Sequence, residues 1–136
     1  MSVRYNYNRQ LSPPAPFVNL TVSRPDGVSR SSTVVPAQID TAADFTVIPE
    51  SLVEELKLVQ LDQITVEGFG GHRTVVPTYL VIIVLHDFSP ILVRVIASRN
   101  ESFVLLGRDV LNQFRTLLDG PNTVLELDQP IVMNSP

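Results

Sequence analysis

Hydrophobic and polar positions alternate in short stretches along this chain, and turn signals interrupt them about every ten residues. Residues 17–23, Phe-Val-Asn-Leu-Thr-Val-Ser, have the period-two pattern of a half-buried strand. Arg24-Pro25-Asp26-Gly27 predicts a turn, because Pro presets one dihedral and Gly supplies a positive one. A returning strand through Val34 completes a hairpin, and Pro36 limits pairing just before an apolar lead into Asp40. Thr46-Val47-Ile48 forms a second β-branched run, and residues 49–56 predict a short helix. Pro49 fits its first turn, acidic residues favour its N-terminal end, and Leu52, Val53 and Leu56 share a face. Strand-like residues 61–67 and 74–76 bracket Gly68-Phe69-Gly70-Gly71-His72, which predicts a hairpin with a mobile tip. Residues 79–85 and 91–97 are two strong strands. Residues 103–106 form a short apolar run ending at Gly107, and residues 108–114 predict a second helix with Val110, Leu111 and Phe114 inward. Residues 116–119 and 123–127 flank a turn at Asp119-Gly120-Pro121-Asn122. Many short strands with two short helices indicate an all-β barrel or sandwich.

Outside this pattern, residues 1–16 are polar and then Pro-rich, which predicts a flexible arm, and residues 129–136 predict a loose tail. The 136 residues suffice for one domain with a core that needs neither disulfides nor metals. Hydrophobic residues make up 44% of the chain, yet no run approaches the roughly 20 residues that span a bilayer. The first residues lack the apolar centre of a signal peptide, and there is no Cys, so a cytoplasmic location is expected. A net charge of −4 without a basic cluster argues against a nucleic-acid partner. His72 and His86, in separate loops, cannot supply the three or four converging ligands of a metal site, and no cofactor is expected. The glycine spacing at 68–71 is not a phosphate-binding fingerprint, and no Ser occupies a nucleophile elbow.

The stretch with the most chemistry is Ile39-Asp40-Thr41-Ala42-Ala43-Asp44-Phe45-Thr46-Val47-Ile48-Pro49. A carboxylate between two strand-like runs lies near the core, where its charge needs hydrogen bonds or a shared proton. Taken with Leu105-Leu106-Gly107-Arg108-Asp109-Val110-Leu111, it resembles the two signatures of the retropepsin-like aspartic proteases, and a Gly-rich hairpin lies between them. The resemblance covers residues 17–128 and implies a closed β-barrel with a flap hairpin and one or two short helices. It further implies that Asp40 is the catalytic carboxylate and that Thr41 bonds its counterpart across a two-fold axis. Leu105, Leu106 and Gly107 would pack behind the Asp loop, and Asp44 would pair with Arg108. Ala42, Ala43 and Asp44, with Gly68, Phe69, Gly70 and Gly71 of the flap tip, would contact a bound peptide.

Hydrolysis by carboxylates alone asks for a base to activate water and an acid to protonate the leaving amide. One Asp-Thr pair in so short a chain therefore implies a homodimer acting on a peptide or protein substrate. Ala42 stands where the family carries Gly, and a methyl there can narrow the cleft or strain the backbone. That departure supports the alternative, a non-catalytic module that keeps the barrel for dimerisation or peptide capture. Asp109, at a helix start, is expected to favour the helix dipole, and Asp119 is expected to serve its turn.

Overall fold

The computed structural model describes residues 2–26 and 32–130. Gly27 of the expected turn and residues 131–136 of the expected tail lie outside the described residues. The strands are β1 (Ser2–Asn6), β2 (Phe17–Ser23), β3 (Ser32–Ile39), β4 (Val47–Pro49), β5 (Gln60–Glu67), β6 (Arg73–Val84), β7 (Ile91–Ser98), β8 (Val104–Leu106), β9 (Arg115–Asp119) and β10 (Val124–Asp128). Two helices, α1 (Glu50–Leu56) and α2 (Arg108–Leu111), interrupt them, and a single 3-10 turn covers Phe69–Gly71.

Six strands close a barrel in the order β2-β3-β8-β4-β7-β6, with β6 returning to β2 through Thr21↔Val84, Val22↔Ile83 and Ser23↔Ile82. Closure removes the exposed edges that an open sheet of this size would present. β6 runs for 12 residues because it serves two partners in succession. Its first half pairs with β5 to make a hairpin, and its second half belongs to the barrel wall. The barrel alternation is strict there: Val81 and Ile83 are fully buried while Leu80 and Ile82 are half exposed. Pro36 pairs with Asn19 and sits one residue before the β3–β8 ladder begins at Ala37. A residue without an N–H is tolerated at such a boundary.

The two helices are shorter than the sequence pattern predicts. Pro49 is the cap of α1 rather than its first helical residue, and Lys57 ends it in the left-handed region at φ 52°. Leu52 and Leu56 are buried, and Val53 packs beside them. α2 stops at Leu111, after which Gln113 and Phe114 donate to Val110 and Leu111 in tighter three-residue turns. The chain must turn there to enter β9. Phe114 still reaches the interior, edge-on to Phe88 with ring centres 5.2 Å apart.

Part of the stretch expected to be an arm, residues 1–16, is a strand. Ser2–Asn6 forms β1, which pairs antiparallel with β10 to give a second sheet, β1-β10-β9. Val3, Tyr5 and Tyr7 alternate inward against the core, and burial raises the Tyr5 hydroxyl pKa above its ordinary value. Arg4 meets Glu126 at 3.0 Å on the outer face. The period-two signal here is only three residues long, and its partner lies more than a hundred positions away, so local reading misses it. Leu125 and Leu127, both fully buried, tie this sheet to the barrel core.

Deleting residues 1–7 removes β1 and three packed side chains. We expect the thermal midpoint to fall by at least about 5 °C, since each lost kcal/mol moves a domain of this size by several degrees. An unchanged midpoint in calorimetry would show that β1 adds nothing to the fold.

Candidate active site

The loop after β3 carries Asp40, and its geometry is dictated from behind by β8 and α2. β8 is the strut: it pairs with β3 through Ala37↔Val104, Gln38↔Leu105 and Ile39↔Leu106, and with β4 through Val47↔Leu105. Both arms of the Asp loop are therefore held by one three-residue strand. The Asp40 N–H donates to the Leu106 carbonyl at 3.0 Å, and the Asp40 carbonyl accepts from Ala43 N–H at 3.2 Å. Asp40 as a residue is half-buried, and its carboxylate Oδ1 accepts the Ala42 N–H at 3.2 Å. Thr41 and Ala42 are exposed beside it.

Gly107 makes this docking possible. A Cβ there would stand 2.7 Å from the Phe45 carbonyl carbon and 3.0 Å from the Ala43 oxygen, both backbone atoms. The next residue then works as a clamp. Arg108 N–H donates to the Ala43 carbonyl at 2.9 Å, its Nη1 to the Thr41 carbonyl at 2.7 Å, and its Nη2 to the Asp44 carboxylate. Planar guanidinium geometry lets one side chain hold a carbonyl and a carboxylate together.

A second layer of bonds lies deeper and joins Gly107 and Asp109 to Thr46, a residue that the sequence pattern does not single out. Thr46 is fully buried. Its Oγ1 donates to Asp109 Oδ1 at 2.7 Å and accepts the Gly107 N–H at 3.1 Å, while its own N–H donates to Asp109 Oδ2 at 2.9 Å. Asp109 is thus not merely an acid at a helix start: its carboxylate is occupied by Thr46. The available signal was a hydroxyl inside the run Phe45-Thr46-Val47-Ile48, since a buried hydroxyl requires a partner. The two layers differ in energy. The Arg108 and Asp44 side chains are 44% and 73% exposed, so solvent screening limits their ion pair to about 1 kcal/mol or less. Bonds to a carboxylate in the shielded layer contribute roughly 1.5–3 kcal/mol each.

The structure places the other sequence-derived residues as follows. Leu106 and Gly107 are buried behind the loop. Leu105, by the alternation of β8, points the other way and lines a cavity of about 620 Å³ with Val47, Val76 and Ile96. Positive φ at Gly70 (83°) and Gly71 (80°) shapes the hairpin tip, where Gly68 N–H donates to the His72 carbonyl at 2.8 Å. The Phe69 side chain lies outside the described residues. The tip glycines line none of the described cavities, but the stem does: Thr65, Val66 and Glu67 face Ala42, Ala43 and Asp44 across about 500 Å³. Among the described residues the non-glycine positions with positive φ are Lys57, His86 and Thr123, so Ala42 is free of left-handed strain. No group of three His, Asp or Glu suited to a metal occurs among the described residues, and no helix there is long and apolar enough to cross a membrane.

The deeper layer can be tested by shape-conserving substitution. Thr46→Val leaves the Gly107 N–H without its acceptor and Asp109 without a hydroxyl donor, and should lower unfolding free energy by about 1–3 kcal/mol. Asp44→Ala should cost about 1 kcal/mol or less. Urea unfolding of both variants checks the ranking, and equal losses would refute it.

Comparison with known proteins agrees with this architecture. An aspartyl protease family model matches residues 27–110. The retropepsin-like aspartic protease from Rickettsia conorii superposes with a TM-score of 0.65 at 13% identity, covering 93% of this chain and 90% of that one. The EIAV protease, solved with the inhibitor HBY-793, gives 0.58 at 21% identity, covering 79% and 92%. No curated protein sequence matches this chain. The barrel has the retropepsin-like fold. Because the family match spans more than half of its length, the chain belongs to the aspartyl protease family.

Proposed function

We propose that this protein is an aspartic endopeptidase that works as a homodimer, hydrolysing extended peptides between two copies of Asp40. The observation that carries the reading is Asp40, half-buried on a loop clamped from behind, with Ala42, Ala43 and Asp44 of the same loop lining a cavity. One carboxylate cannot be both base and acid in the same step. Two of them a few ångströms apart resist double ionisation, so they share a proton. The ionised member takes a proton from water as it attacks the carbonyl, and the protonated member delivers one to the leaving nitrogen. Such a pair titrates as a unit. Thr41, exposed next to Asp40, is suited to bond its counterpart across the axis. The β5–β6 hairpin is suited to act as the flap, since Gly70 and Gly71 hold a tight tip over a stem that already faces the Asp loop.

Ala42 is the feature that favoured a non-catalytic module. With its backbone in an ordinary region, the remaining objection is one exposed methyl group. A methyl at the cleft edge narrows the space for substrate backbone without displacing the Asp40 carboxylate that the Ala42 N–H holds.

Asp40→Asn should abolish cleavage while the protein stays folded, because an amide cannot accept the proton from water. Incubation with a diverse peptide mixture between pH 4 and 7, with products identified by mass spectrometry, tests this; retained cleavage in the variant would sink the mechanism. Ala42→Gly should change kcat/KM by less than about tenfold, in keeping with a small steric effect. A silent protein that gains activity on that change would instead mark the chain as a binding module.

A further inference from the structure

The cavity between the Asp40 loop and the hairpin has two unlike walls. We infer that it selects a basic side chain, lysine or arginine, of an extended peptide, and that Glu67 sets this preference. The inference rests on the endopeptidase reading and adds a substrate class to it. Val47, Val66 and Ile96 give the cavity an apolar wall that Phe45 extends. Glu67 stands exposed at its rim, and Asp44 contributes the other carboxylate.

These two carboxylates are not equivalent. Asp44 is matched by Arg108. The Glu67 carboxylate takes part in no hydrogen bond or ion pair among the described residues, and its cross-strand neighbour Arg73 does not bridge to it. Its Oε1 lies 3.7 Å from where a Cβ on Gly71 would stand, so the carboxylate rests beside the hairpin tip. Of the two rim carboxylates, Glu67 is the one that no guanidinium bridges among the described residues.

Lysine and arginine suit such a cavity because they combine an apolar stem with a charged end. The stem lies along Val47, Val66 and Ile96, and the end reaches Glu67. An aliphatic side chain covers the same wall but leaves the carboxylate without a partner, and an acidic one meets like charge. Glu67 is on the β5–β6 hairpin and the apolar wall is mostly on the barrel, so the ion pair ties the hairpin to a peptide seated on the barrel.

The test uses paired peptides that carry lysine or norleucine at one position at a time around a cleaved bond. With the wild-type protein, one position should favour lysine in kcat/KM, and Glu67→Gln should reduce that lysine-to-norleucine ratio by about three- to fivefold, the scale of a partly exposed ion pair. Raised salt should reduce the ratio in the wild type and leave it unmoved in the variant. The same peptides are bound to Asp40→Asn with and without Glu67→Gln, read by fluorescence anisotropy. Absent cleavage with the lysine preference retained in binding would overturn the endopeptidase reading and uphold the subsite. Cleavage or binding with no lysine preference at any position, or a preference indifferent to Glu67→Gln, would overturn the subsite.

Discussion

The structure depends on one close approach, the backbone of Gly107 against the backbone of residues 43–45. A space that excludes even a methyl group brings α2 near enough for Arg108 to bond two carbonyls of the Asp loop and for Thr46 to reach both Gly107 and Asp109. Widening it by the tenths of an ångström that a Cβ demands would lengthen every one of these bonds at once. Close-packed interiors transmit such a shift rather than absorb it. The position of Asp40 is thus fixed by a contact in which it takes no part.

Support for the site is arranged in depth. The visible ion pair, Arg108 with Asp44, lies in solvent and contributes little by itself. The guanidinium matters more through its bond to the Thr41 carbonyl, because that bond fixes the backbone next to Asp40. Below it, Thr46 and Asp109 form a shielded layer in which every polar atom has a partner. The charged residues best placed to contact a ligand are therefore the ones least needed for folding, which leaves the rim free to vary while the loop stays in place.

Much of this was legible in the chain. The barrel strands follow from period-two runs, and the Asp40 and Gly107 segments stand out because their residue types are costly in a core without a specific reason. The pairing of Asp44 with Arg108 was implied by the family resemblance of the two segments that contain them, and not by their spacing. What escaped were features set by distant partners. β1 is invisible until β10 offers an edge, α2 is shortened by the turn into β9, and Leu105 is turned by the alternation of its strand toward the cavity it shares with Val47, Val76 and Ile96. Thr46 and Asp109 escaped for a similar reason: 63 positions separate them, and neither is unusual in its own neighbourhood.

The long separations have a consequence for how the molecule comes into being. β3 emerges early in synthesis, yet β8, which must lie beside it, is made some 67 positions later, as the pairing of Ile39 with Leu106 shows. Folds dominated by such distant pairings form slowly, because the intervening chain must be gathered before any contact repays its ordering. On the ribosome, Asp40 therefore waits on an unsupported loop until β8 and α2 have been translated. Whatever acts at this site begins to act only after the strand that supports it from behind has joined the sheet.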